Sequence, residues 1–273
     1  MPELPEVETV KEALKLKLIG KTLLKVTIYY NNIIEYPEIN IFKKNIQNQK
    51  INDIKRYGKW LIFELDDYYL LSHLRMEGKY FFKSPAEIRN KHEHVIFTLD
   101  DNTELRYMDV RKFGKMHLIL KEELTKKGPL LEMGLEPWDI KLTAKYLESK
   151  LKSKRIPIKT SLLDQSIIVG IGNIYADEIL FLSNINPQKS SNSLQKKEFE
   201  QIISNTKKVL EQAIAKGGTS IRSYTSVDGV HGLFQQELKV HNKANAPCPN
   251  CKTIIIKTKV GGRGTYYCPE CQK

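Results

Sequence analysis

Cysteine is missing from residues 1–247 of this 273-residue chain, and all four cysteines fall between positions 248 and 271. No disulfide framework therefore runs through the body of the protein, and the cluster at the end needs a local explanation. Long apolar runs are missing too. The most apolar stretch of the middle, 167–182, is broken by Asn173, Asp177 and Glu178, so it does not read as a membrane span. Residues 1–12 hold four glutamates and one lysine with no apolar segment behind a basic start, so no secretory leader is expected. Repeats and low-complexity tracts are absent. These absences point to a cytoplasmic protein without a membrane partner, in a compartment where thiols stay reduced.

What is present is an excess of positive charge. Lysine plus arginine number 44 against 32 acidic residues, a formal net charge of +12. Such a chain is expected to meet a polyanion, since each phosphate contact releases condensed counterions; nucleic acid fits best, and an acidic lipid surface satisfies the same charge. The 41% hydrophobic content suffices for ordinary cores, and the length suits two modest domains.

Val7, Val10, Leu14 and Leu18 recur at helical spacing behind a glutamate-rich start, which complements a helix dipole. From Thr22 to Leu120 the pattern changes to short apolar runs separated by turn-like pairs such as Asp66-Asp67, which predicts an antiparallel sandwich or barrel. Gly128-Pro129 and Glu136-Pro137 bracket a linker. Beyond it, 140–182 and 193–216 read as helical. The stretch 217–234 is rich in glycine, serine and threonine with little periodicity, and a loop that long is expected to be functional.

The tail, 239–273, carries seven lysines and arginines against one acidic residue. Within it Cys248-Pro-Asn-Cys251 and Cys268-Pro-Glu-Cys271 are separated by sixteen residues. Two such knuckles match a four-thiolate zinc site, one metal standing in for a core the tail is too short to build. Two disulfides or four unrelated thiols are the alternatives. The spacer reads as a hairpin with its tip at Gly261-Gly262, beside Arg263. By itself this is a binding module.

The opening Met1-Pro2-Glu3 carries chemistry of another kind. A small residue after the initiator allows its removal, leaving Pro2 as a free secondary amine. An α-amino group has an ordinary pKa of about 7.7–8, so part of it is unprotonated near neutrality. Attack on an aldehyde-level carbon yields an iminium ion, an electron sink for elimination, and Glu3 stands next to it to move a proton. An ordinary Met-Pro start with Glu3 capping a helix is the alternative.

The motifs Pro2-Glu3-Leu4-Pro5-Glu6, Tyr57-Gly58-Lys59, His73-Leu74-Arg75-Met76-Glu77-Gly78 and Asp109-Val110-Arg111-Lys112-Phe113-Gly114 follow one another in the first half. Ile158-Lys159, Leu162-Leu163-Asp164-Gln165, the run from Gly170 to Glu178, and Gly261-Gly262-Arg263-Gly264-Thr265 follow in the second. In content and order this series resembles the formamidopyrimidine-DNA glycosylases over essentially the whole chain. The resemblance implies a multidomain α+β fold: an N-terminal β-sandwich with flanking helices over 1–135, and a helix-two-turn-helix domain over 136–238. The latter would include a lesion-capping loop at about 217–237, ahead of a zinc finger over 239–273.

The resemblance also implies a function. It is a bifunctional glycosylase and AP lyase of base excision repair, which removes 8-oxoguanine and formamidopyrimidines from duplex DNA, preferably opposite cytosine. The DNA would lie in a basic cleft between the domains, with the damaged nucleotide turned out of the stack. Pro2 is the implied nucleophile, Glu3 the proton shuttle, and Lys59 a phosphate ligand that assists. Met76, Arg111 and Phe113 match the trio that fills the vacated space; taken alone, Met76 and Phe113 would read as core and Arg111 as a solvated charge. His73, Lys159, Asn173 and Arg263 are implied backbone contacts, though Asn173 also suits a helix cap. Glu77 and the Thr219, Ser220, Ile221, Arg222, Ser223, Tyr224 stretch are implied to receive the flipped base. One structural zinc and a monomer are expected. Departures are Trp60 in place of the usual tyrosine, and His241-Asn242 with Asn245 ahead of the first knuckle, where asparagine tolerates left-handed backbone. The alternatives are an endonuclease VIII-like enzyme for oxidised pyrimidines, and a zinc-ribbon DNA-binding protein without catalysis.

Overall fold

The computed structural model describes residues 1–219 and 232–273, and they divide into two compact units. Met1–Leu131 with Gly217–Gly232 forms the first, and Glu132–Lys216 with Leu233–Lys273 the second. Gly217, Gly218, Thr219 and Gly232 thus belong with the N-terminal unit, although the helical segment before them belongs to the other.

The first unit opens with helix α1, Leu4–Leu18. Its start is a capping box: Glu3 occupies the N-cap, and its backbone N–H donates to Glu6 Oε2 at 2.8 Å. Val7, Val10, Leu14 and Leu18 form one apolar stripe, each fully buried, and each such burial contributes on the order of 2 kcal/mol. Leu16, off the stripe, is exposed. Gly20, with φ +87°, ends the helix in the left-handed conformation that favours glycine.

Ten strands follow: β1 Thr22–Ile28, β2 Ile34–Tyr36, β3 Gln49–Lys50, β4 Asp53–Tyr57, β5 Trp60–Glu64, β6 Tyr68–His73, β7 Lys79–Lys83, β8 Glu93–Leu99, β9 Glu104–Met108 and β10 Lys115–Leu120. They make two five-stranded sheets, in the orders β3-β1-β8-β9-β7 and β2-β10-β6-β5-β4. Both sheets and α1 contribute to one core, with Phe97, Leu105 and Tyr107 from one sheet and Leu61, Phe63 and Leu118 from the other. One element departs from the strand expectation: helix α2, Ile39–Ile46, lies inside the strand-rich region. The Glu38 carboxylate accepts from Asn40 N–H and caps it, and Phe42 and Ile46, four residues apart, are its buried pair. Local capping and the 42/46 spacing there outweigh the strand-like isoleucines.

The second unit contains α3 Ala144–Leu151, α4 Ile158–Leu162, α5 Asn173–Leu182 and α6 Lys196–Ala215. It ends in the hairpin β11 Ile256–Val260 and β12 Arg263–Tyr267, turning at Gly261-Gly262 as the sequence predicts. Phe181 of α5 shares a core with Val240, Ile255 and Tyr266, which seats the hairpin on the helix. Asn242 and Asn245 adopt left-handed backbone, at φ +63° and +68°, so the turns before the first knuckle survive the replacement of glycine. Among the described residues no helix is long and apolar enough to cross a membrane.

Candidate active site and nucleic-acid interface

In the first unit the capping box that starts α1 also fixes the backbone beside Pro2. Pro2 and Glu3 are buried while Met1 is exposed. Glu6 uses both carboxylate oxygens: Oε2 accepts from Glu3 N–H, and Oε1 accepts from Thr219 N–H at 2.7 Å and Thr219 Oγ at 3.0 Å. Gly218, at φ +78°, approaches so closely that an added Cβ would lie 2.6 Å from Glu6 Oε1. Glu6 therefore joins the Pro2–Glu3 backbone to the chain entering 220–231. A link across 213 residues leaves no local spacing signal in the sequence.

Lys59 lies at the tip of the β4–β5 hairpin, a two-residue turn whose first position, Gly58, has φ +55°. A hairpin-tip lysine is ordinarily solvated, yet Lys59 is only 4% exposed. The hairpin packs on α1, and Arg56 Nε donates to Glu8 Oε2 at 2.8 Å, which registers the two elements. Trp60, the departure after the lysine, is buried edge-on against His73 with ring centroids 4.8 Å apart. His73 is also buried. Burial, aided by the charges of Arg75 and Lys59, pulls its pKa down to about 3, and its Nδ1 accepts from Arg75 N–H. It is a neutral imidazole near pH 7, so any contact it makes with a phosphate is a hydrogen bond and not an ion pair.

The expected void-filling residues stand on two loops. Met76 and Glu77, both half-buried, follow Arg75, which is held at φ +51°. Arg111 and Phe113 flank Lys112, held at φ +58°. Left-handed backbone at non-glycine residues carries strain that surrounding structure must hold in place. Here Asp109 does so: its carboxylate accepts from Arg111 N–H at 3.0 Å and Gly114 N–H at 2.8 Å. Phe113 remains 49% exposed, with the Arg111 guanidinium 4.9 Å from its ring centroid. An exposed phenylalanine stacked on arginine is not a core residue.

In the second unit three separated motifs converge. Lys159 Nζ pairs with Asp177 Oδ1 at 2.7 Å and donates to Gly264 O and Thr265 Oγ1. Asn173 Nδ2 donates to the same Gly264 carbonyl at 3.0 Å. Asn173 is the first residue of α5 and Gly172 its N-cap, so the cap reading fails. Gln165 braces the turn before the helix, accepting from Gly170 N–H and donating to Ile171 O. Lys159, which the resemblance implies as a backbone contact, is wholly buried, with its ammonium paired to Asp177 and bonded to the hairpin. Arg263, on the same hairpin, is exposed. Glu178 accepts backbone N–H groups from Lys239, Val240 and His241, so consecutive acids of α5 anchor the approach to the zinc knuckles. Ser220, Ile221, Arg222, Ser223 and Tyr224 lie outside the described residues. Thr219 is buried against Glu6.

Four thiol groups end the chain. All four sulfurs lie within 4.8 Å of one another, with Cys248–Cys271 at 3.9 Å and Cys251–Cys268 at 3.4 Å. A tetrahedral zinc with bonds of about 2.3 Å has sulfur–sulfur edges of roughly 3.8 Å, so the arrangement fits the ion. Disulfides are excluded among these cysteines, which are free.

Residues 1–116 match the family model for the formamidopyrimidine-DNA glycosylase N-terminal domain, 133–225 that for its H2TH domain, and 246–273 that for a zinc finger found in FPG and IleRS. The chain belongs to the formamidopyrimidine-DNA glycosylase family. It is 48% identical to the formamidopyrimidine-DNA glycosylase of Oceanobacillus iheyensis, covering 100% of this chain and 98% of that one. It is 46% identical to that of Bacillus cereus over 100% and 99%. Among solved structures, a variant of Lactococcus lactis FPG bound to Fapy-dG DNA superimposes with a TM-score of 0.93 at 38% identity, covering both chains completely. MutM with carbocyclic 8-oxo-G DNA gives 0.92 at 37% identity. Family and geometry agree that the tail is a zinc finger with one structural zinc.

Proposed function

We propose that this family member is a DNA glycosylase of base excision repair with AP lyase activity, acting on oxidised purines through an N-terminal proline. The observation that carries the assignment of residues is the burial of Pro2, Glu3 and Lys59 in the first unit, with the backbone next to Pro2 clamped by Glu6. A lysine held buried at a hairpin tip is fixed in place and not freely solvated, which suits a contact with a phosphate beside the reacting sugar. Once Met1 is removed, the Pro2 nitrogen attacks the sugar C1′ as the bond to the base breaks, and the base leaves with a proton. The nitrogen's own proton is lost and ring opening gives an iminium. That iminium withdraws electrons so that a 2′ proton is lost and the 3′ phosphate departs; a second elimination, with loss of the 4′ proton, releases the 5′ phosphate, and water hydrolyses the iminium to free the Pro2 amine and an unsaturated aldehyde. Glu3 gives and takes the protons around the sugar.

Duplex DNA is the partner, and the protein acts as a monomer. Extruding the base leaves a space beside the orphaned base, which suits the half-buried Met76 and the exposed Arg111 and Phe113. Arg111 presents paired donors that suit a cytosine and underlie a preference for it. Backbone phosphates are met by the neutral His73, the exposed Arg263, and the N-terminus of α5, whose dipole favours an anion next to Asn173. Glu77 and the segment beginning at Thr219 are assigned to the flipped base. One neighbour, wild-type Lactococcus lactis FPG, is in complex with DNA containing an oxidised pyrimidine, with a TM-score of 0.91 at 37% identity. Family membership therefore does not limit the lesions to purines, and oxidised pyrimidines are a second substrate class.

The test is borohydride trapping with duplex DNA carrying 8-oxoguanine opposite cytosine. A covalent adduct mapped to Pro2 by mass spectrometry is expected. An adduct forming only with an oxidised pyrimidine would reassign the substrate, and none with either lesion or an abasic site would remove the chemistry.

A further inference from the structure

The two loops that carry Met76 and the Arg111–Phe113 pair are crossings from one sheet of the sandwich to the other. The first joins β6 to β7 and the second joins β9 to β10. Their ends are locked by strand register. His73 pairs with Lys115 between β6 and β10, and Lys79 pairs with Met108 between β7 and β9. The loops therefore run side by side, although Met76 and Arg111 are 35 residues apart in sequence.

Each loop ends in a glycine, and both glycines meet one atom. A Cβ added at Gly78 would lie 2.3 Å from Tyr107 Oη, and one added at Gly114 only 1.7 Å from it. Neither glycine is among those with positive φ, so backbone conformation does not demand glycine at either place. At Gly114 the contacts that exclude a side chain are the Tyr107 oxygen and its Cζ, with Asp109 Oδ2 next at 3.2 Å. Tyr107 itself is fully buried on β9, its ring edge-on to Tyr80 at 5.2 Å. A rigid phenol rooted in the core thus reaches between the last residues of two strained loops.

We propose that Tyr107 is a positioning residue for lesion recognition: its hydroxyl is the common seat that sets the spacing of Met76 against Arg111 and Phe113. This rests on the void-filling reading of those three residues. Both loops hold a left-handed residue beside a void-filling side chain, Arg75 and Lys112, and close at a glycine packed on the same oxygen. A duplex with a vacant site presents a gap of fixed size, so side chains entering from two loops must keep a fixed separation. Close packing transmits that constraint because packed interiors do not deform continuously.

The experiment compares affinities of the full-length, zinc-loaded protein for duplex DNA containing a tetrahydrofuran abasic analogue and for intact duplex. Tyr107→Phe keeps the ring and removes the seat; the ratio of the two affinities is expected to fall about threefold to tenfold, the usual scale for a coupled contact. Iminium trapping on a single-stranded abasic oligonucleotide, which offers no opposite strand, is expected to stay at the wild-type rate. Gly114→Ala should lower the same ratio, and adding Tyr107→Phe to it should recover part of the loss, because the worst overlap is with the removed oxygen. Tyr80→Phe is the comparison for a loosened core, since Tyr80 donates a buried hydrogen bond to Ser72 Oγ at 2.7 Å and is not among the three atoms nearest a Cβ at either glycine. It should lower the melting temperature and leave the ratio alone. An equal fall for Tyr80→Phe, or an unchanged ratio for Tyr107→Phe while Met76→Ala and Arg111→Ala lower it, overturns the proposal. If Met76→Ala and Arg111→Ala also leave the ratio unchanged, the void-filling reading itself has failed.

Discussion

Replacing Glu6 by glutamine tests how much the amino-terminal chemistry depends on a clamp formed across the fold. The carboxylate accepts from Glu3 N–H through Oε2 and from the Thr219 N–H and hydroxyl through Oε1. A glutamine has one oxygen. In its better orientation it keeps both Thr219 bonds and turns its NH2 toward the Glu3 N–H, leaving two donors facing each other in a buried setting. A lost charge-assisted bond together with an unsatisfied buried donor costs about 2–3 kcal/mol. For a protein of this size that lowers the melting temperature by roughly 4–12 °C. The larger effect falls on the rate. Glu3 N–H holds the peptide next to Pro2, and a misplacement of about 1 Å of a reacting group can cost on the order of a hundredfold. Single-turnover excision of 8-oxoguanine by Glu6→Gln is therefore expected to slow about tenfold to a hundredfold, with iminium trapping slowed in parallel. Gly218→Ala, which forces a Cβ to 2.6 Å from Glu6 Oε1, should slow both in the same way. A Glu6→Gln protein with the wild-type melting temperature and wild-type single-turnover rate would refute the clamp.

Other perturbations separate the remaining assignments. His73 titrates near 3 when folded and about 6.5 when unfolded. The unfolded chain therefore binds the extra proton, and the stability from His73 is complete above about pH 6.5 and drains away as pH falls toward 3. Relative to His73→Gln, urea unfolding should show wild type losing up to about 1.4 kcal/mol per pH unit across that window; identical pH profiles would count against a buried neutral imidazole. Lys159→Met leaves the buried Asp177 without its lysine, with only His241 and a backbone N–H on its other oxygen, and should destabilise by about 3–5 kcal/mol, with no change in the salt slope of DNA binding. Arg263→Ala should do the reverse, keeping stability and lowering the slope by about one; a slope change in Lys159→Met would restore the phosphate role. Elemental analysis should find one zinc per chain, and its extraction should abolish DNA binding and unfold the hairpin, since such ions contribute about 10–16 kcal/mol to small domains. Retained binding by metal-free protein would show that the finger is dispensable.

Much of this protein is local and therefore legible in its sequence. The stripe Val7-Val10-Leu14-Leu18 with Gly20 behind it specifies α1, since helical period and a left-handed terminator act within a few residues. The four cysteines specify the metal, because two knuckles bring two sulfurs each and zinc accepts four. The turn at Gly261-Gly262 and the tolerance of Asn242 and Asn245 for left-handed backbone are equally local matters. Helix α2 was hidden because a single cap at Glu38 and one buried pair overrode strand-like isoleucines. What only the tertiary structure decided are choices between equivalent chemistries. Lys59 and Lys159 are both lysines after a short motif; one ends buried at a hairpin tip, where its charge helps lower the His73 pKa, the other inside the second unit against Asp177. Nor does local spacing tie Glu6 to Thr219, or bring Gly78 and Gly114 to one phenol on β9. Charge, burial and contact across tens or hundreds of residues are properties of packing, and a periodic pattern along the chain records only which side of an element faces inward, not what it meets there.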